Sequence, residues 1–113
     1  MSKRIRQINI LIKRELGQIL SKEIEFSAGV LMTITRVETT SNLMESNIWI
    51  SVFPEDKLRR CLEVLNKNIY ILQQKLNKRL NMRPIPRIKF LEEKKTVEAG
   101  KVEEILEKMK VNK

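Results

Sequence analysis

The chain has 113 residues, 42% of them hydrophobic and 33% charged, a balance that supports a packed core and excludes wholesale disorder. Its 23 Lys and Arg against 14 Asp and Glu give a net charge of +9, with one cysteine and no histidine. Those counts exclude an internal disulfide, the common zinc-ligand spacings and every Ser/His or Cys/His dyad.

A length of 113 residues suits one domain, expected to span 1–113. Apolar runs of only a few residues leave no membrane span, and Lys13-Arg14-Glu15 falls where a signal peptide needs its apolar stretch, so a cytoplasmic protein is expected. The acids sit mostly in charge-mixed helical patterns, and no constellation supports an enzyme or calls for a cofactor.

From about Lys3 to Glu25, Ile5, Ile8, Ile12, Leu16, Ile19 and Leu20 follow helical spacing, and Ile10 and Leu11 widen the apolar face. Gly17 interrupts this amphipathic helix at a cost of about 1 kcal/mol relative to alanine. After a break at Ser27-Ala28-Gly29, the β-branched and apolar residues from Val30 to Glu38 predict a strand. Val30, Met32 and Ile34 share one face but Val37 has the opposite parity, which predicts a bulge near Arg36. Thr40-Ser41-Asn42 is a turn, and Asn47 to Phe53 is the returning strand of an antiparallel hairpin. Trp49 points to the face opposite Ile48 and Ile50, where it either stacks on bases or packs against a terminal helix or the hairpin's own neighbours.

Pro54-Glu55-Asp56 opens the next helix. Leu58, Leu62, Leu65, Ile69, Leu72, Leu76 and Leu80 then run in unbroken three-and-four spacing, by periodicity one helix of about seven turns. Asn66 and Asn68 argue for a break inside it, because asparagine tolerates a left-handed cap. Cys61 lies within the stripe and reads as a buried, inert thiol. Pro84 and Pro86 end the helix, Arg87 to Leu91 alternates as a third strand, and Val102, Ile105, Leu106 and Met109 predict a terminal helix from Gly100 to Lys110.

The charge is segregated along this order. The window from Lys57 to Lys89 holds ten Lys or Arg and one acid, Glu63, so its net charge of +9 equals that of the whole chain. A strip of that kind suits a polyanion, because neutralising phosphates releases condensed counterions whatever the base sequence. The candidate RNA contacts are Lys67, Asn68, Lys75, Lys78, Arg79, Arg83, Arg87 and Lys89, extended by Arg4 and Arg6. Asn68 either caps a helix or reaches a ribose or base edge, and Tyr70 either packs against the first helix or stacks on RNA.

Helix, two strands, split helix and strand make an α+β arrangement of the type II KH-like kind, with a three-stranded sheet packed by helices and a short C-terminal helix. Val37-Glu38 leading to Leu43, then Ile48-Trp49-Ile50-Ser51-Val52, then Arg83-Pro84-Ile85-Pro86-Arg87-Ile88-Lys89-Phe90 resemble the ribosome-binding factor A family from Arg4 to about Leu106. The last segment is similar to the family's Arg-x-x-Pro-x-x-x-Phe passage. The family breaks its paired helices at an Ala-x-Gly kink; here that position holds Asn68-Ile69-Tyr70, and the family's terminal Gly-x-Arg-Ile becomes Ala99-Gly100-Lys101-Val102. The resemblance implies a bacterial assembly factor that binds small-subunit ribosomal RNA in immature subunits, with the small ribosomal subunit as partner. The competing reading is a general KH-like RNA-binding protein not dedicated to the ribosome. A monomer is expected, because the sheet needs the leucine stripe for its own core.

Overall fold

A computed structural model describes residues 2–26 and 28–93; the expected terminal helix lies outside the described residues. Helix α1 spans Lys3–Glu23 and is capped by Ser2, whose hydroxyl accepts the Ile5 N–H at 3.1 Å. Ile8, Ile12, Leu16, Ile19 and Leu20 are buried, as their spacing requires, but Ile10 is 62% exposed and Leu11 only half-buried. The apolar face is therefore narrower than expected, since Ile10 lies outside the arc that the sheet covers.

Strands β1 (Leu31–Thr39) and β2 (Glu45–Phe53) form the expected antiparallel hairpin. Its register shifts between Ile34 and Arg36, the predicted bulge, and one extra residue there lets Ile34 and Val37 both face the core. Strand β2 starts two residues earlier than expected because Ser46 is buried in a polar knot: Thr39 Oγ1 donates to Asn9 Oδ1 at 2.6 Å and lies 2.8 Å from Ser46 Oγ. That knot ties α1 to the loop end of the hairpin.

A 3-10 turn at Glu55–Lys57, helix α2 (Leu58–Lys67) and helix α3 (Ile69–Arg79) then cross over to β3 (Arg87–Glu92), which pairs parallel to β2. A parallel pair requires a crossover of this kind. The sheet order is β1-β2-β3, with the helices against the face of Ile48, Ile50, Ile88 and Phe90. The other face carries Thr33, Asn47, Trp49, Ser51, Arg87 and Lys89. Gln73 of α3 serves the free edge of β3: its Oε1 accepts the Ile88 N–H at 2.8 Å and its Nε2 donates to Pro86 O at 3.1 Å.

The long leucine stripe is broken at Asn68, as expected, but not through a left-handed cap. Asn68 has φ −104° and ψ 11°, and its Nδ2 donates to Val64 O at 2.8 Å. The same carbonyl also accepts the Asn68 backbone N–H at 3.2 Å, so backbone and side chain of one residue close the last turn of α2 without a positive φ. Cys61 is buried in the core, and burial pushes its thiol pKa up, which keeps it a protonated, inert group. No helix among the described residues is long and apolar enough to cross a membrane.

Candidate nucleic-acid interface

The fold distributes the basic window over two surfaces. Lys67 closes α2, Asn68 forms the break, Lys75, Lys78 and Arg79 line α3, and Arg83 is exposed in the turn beyond it. Arg87 and Lys89 alternate with the buried Ile88 and Phe90, so they project from the opposite face of the sheet. Arg4 and Arg6 are exposed in the first two turns of α1. The expectation of one continuous strip is thus corrected: alternation along β3 turns its two cations away from the helical layer.

Two of the helical cations are also engaged. Arg79 Nη1 donates to Glu15 Oε1 at 3.1 Å and to Gln18 Oε1 at 2.8 Å, and Lys75 Nζ lies 3.3 Å from Glu23 Oε2. The hydrogen bond from Arg79 holds the Glu15 carboxyl below its ordinary pKa. Among the described residues, Lys67, Lys78, Arg83, Arg87 and Lys89 form no ion pair. Lys22, which is not among the candidate contacts, joins Lys75, Lys78 and Arg79 around the gap between α1 and α3. A signal was present: Glu15, Gln18 and Lys22 flank the apolar stripe at three-and-four spacing, which puts them on one side of α1. What that side faces is tertiary information.

Tyr70, at the start of α3, is 72% exposed and takes no part in helix packing; Ile71 beside it is 49% exposed. An aromatic ring and an aliphatic side chain thus stand in solvent next to Lys67 and Asn68. Trp49 takes the other course. The Arg36 guanidinium sits over its ring, 4.2 Å from the centroid, so the ring packs against a hairpin neighbour. Glu93 fixes Arg36 through Nε at 2.9 Å and also accepts the Thr35 hydroxyl at 2.7 Å.

These bonds from Thr35 and Arg36 lower the Glu93 pKa from its ordinary value of 4.5. A carboxyl depressed in the folded state adds stability above its unfolded pKa, and that contribution is lost as pH falls through the folded value. Glu93→Gln is therefore expected to lower the thermal midpoint at pH 7 and to converge on the parent protein as pH falls through the depressed folded-state value. Melting curves from pH 7 to pH 3 check this; a gap that persists undiminished at the acid end contradicts it.

The family model described as Ribosome-binding factor A matches residues 4–106. The chain belongs to the ribosome-binding factor A family. A ribosome-binding factor A from Akkermansia muciniphila is 32% identical over 90 residues, which cover 80% of this chain and 71% of that one. The crystal structure of ribosome-binding factor A from Thermus thermophilus superposes with a TM-score of 0.68 at 22% identity, covering 78% of this chain and 93% of that one. A homology model of the Thermus thermophilus ribosome-binding factor A, fitted into the cryo-electron microscopy map of a 30S complex, gives a TM-score of 0.62 at 24% identity, with 74% and 88% covered. The type II KH-like arrangement is thus that of the ribosome-binding factor A fold. Within it, this chain makes the helix break with Asn68-Ile69-Tyr70 in place of the small residues implied by the resemblance.

Proposed function

We propose that this protein is a maturation factor of the small ribosomal subunit, binding small-subunit ribosomal RNA in immature subunits. The observation that carries this reading is the family match over residues 4–106, supported by the relative fitted into a 30S complex. The segregated positive charge supplies the physical attraction to RNA. In this reading the protein acts in the cytoplasm as a monomer, needs no cofactor and catalyses no reaction. Lys67, Lys78 and Arg83 make the principal contacts, with Tyr70 offering a ring to an unpaired base, while Asn68, whose amide nitrogen closes α2, leaves only its oxygen for a ribose. Lys75, Arg79, Arg4 and Arg6 border this surface, and Arg87 and Lys89 contribute from the other side of the sheet.

Crosslinking in cells followed by sequencing of the recovered RNA tests the proposal. Enrichment of small-subunit ribosomal RNA, together with cosedimentation with immature small subunits in preference to bulk RNA, is the expected result. Recovery of scattered messenger RNA without that enrichment would instead favour a general KH-like RNA binder.

A further inference from the structure

Helices α1 and α3 leave a cleft of about 310 Å3 between them, lined by Ile19, Lys22, Glu23, Lys75, Lys78 and Arg79. Four of those six side chains are cationic. Two of the four are held by carboxylates of α1, Lys75 by Glu23 and Arg79 by Glu15. The two carboxylates are eight residues apart on one helix, about 12 Å along its axis. They present oxygen acceptors to α3 as a short stretch of RNA backbone would.

We propose that this cleft is an RNA-phosphate site whose cations the protein's own carboxylates occupy until the RNA backbone displaces them. The inference rests on the reading above and names a site within it. Displacement is easy on the Lys75 side, where both partners reach solvent, with 44% and 35% of their side-chain surface exposed. Exposed pairs of this kind contribute little to stability, so a phosphate that offers more oxygens can replace the carboxylate. The Arg79 side is more enclosed, at 30% and 18%, but Gln18 remains as a second acceptor when Glu15 lets go. A guanidinium released there makes paired hydrogen bonds to a phosphate more readily than a lysine does. The exchange selects for closely spaced phosphates: an isolated anion competes poorly against two tethered carboxylates, whereas a polyanion brings several charges at once. Glu15 and Glu23 thus set the threshold below which weakly charged ligands are refused.

The test is binding of the E15Q/E23Q variant to a 20-nucleotide single-stranded RNA and to immature small subunits, from 50 to 200 mM salt. Glutamine keeps the shape and an acceptor oxygen while removing the charge. RNA affinity is expected to rise about three- to tenfold with little change in the slope of log affinity against log salt, because displacement gives the parent complex the same two phosphate contacts. The gain should vanish when K75Q and R79Q are added to the variant. E23Q alone, which breaks only the more exposed pair, keeps the experiment open should the double variant unfold. A parent protein that binds RNA while the variants bind no tighter, or a gain that survives K75Q/R79Q, overturns the cleft site and leaves the RNA-binding reading standing. A parent protein that binds neither RNA nor subunits overturns both.

Discussion

Neutralising Lys67, Lys78 and Arg83 together, as the triple glutamine variant, is expected to weaken binding to small-subunit RNA about a hundredfold at 0.1 M salt. The magnitude follows from counterion release. Each phosphate contact to single-stranded RNA adds about 0.7 to the slope of log affinity against log salt, so three contacts are worth about 10² per decade of salt. The same variant should therefore lose about 2 from the slope, a signature that unfolding or aggregation does not produce. Arg87→Gln with Lys89→Gln makes the comparison. These two face away from the helical layer, and their loss is expected to cost less than tenfold. Filter binding or fluorescence anisotropy across a salt series measures both. Equal losses per charge would show that RNA embraces both faces; a larger loss from the β3 pair would move the principal contact to the far side of the sheet.

How far this surface can be read from the sequence depends on the residue. The bulge is legible because Ile34 and Val37 have opposite parity, and a period-two pattern that slips by one residue has few other physical outcomes. The helix break was legible only through Asn68. Periodicity hid it, because the leucine stripe passes through this single non-helical residue without losing phase: Leu65, Leu72 and Leu76 are all fully buried on either side. The segregation of charge was equally plain, but its division was not. Whether Lys75 meets solvent or Glu23 depends on how α1 crosses α3, and nothing local to Lys75 records it. The β3 pair is an intermediate case. Alternation with Ile88 and Phe90 already sets Arg87 and Lys89 on one face of a strand, yet only the sheet order and helix placement show that this face is the one away from α3. Electrostatic strips inferred from a sequence window are thus projections of a line onto a surface, and a strand within the window is where the projection divides.

Leu65→Ala is expected to lower the unfolding free energy by about 2–5 kcal/mol, the largest stability effect in this group of variants. Leu65 is 0% exposed and belongs to the last turn of α2, one turn before Asn68, in the same core as Ile48, Leu72 and Phe90. Truncation there removes buried methyl groups and leaves a cavity that the two short helices, each anchored separately, cannot easily collapse. A loss of that size is a large fraction of the 5–15 kcal/mol typical of folded domains, so the thermal midpoint should fall by on the order of 10 °C or more. Two further substitutions sharpen the reading. Leu62→Ala, at a half-buried position one turn earlier, should cost less, and Tyr70→Ala, at an exposed one, should change stability by no more than about 0.5 kcal/mol. Urea unfolding of the three variants ranks them. The order matters more than any single value, because it follows how deeply each position along α2 and α3 is buried. A cost below 1 kcal/mol at Leu65, or a substantial one at Tyr70, would mean that the leucine stripe packs in a different register. The surface carrying Lys67, Asn68 and Arg83 would then be built differently as well.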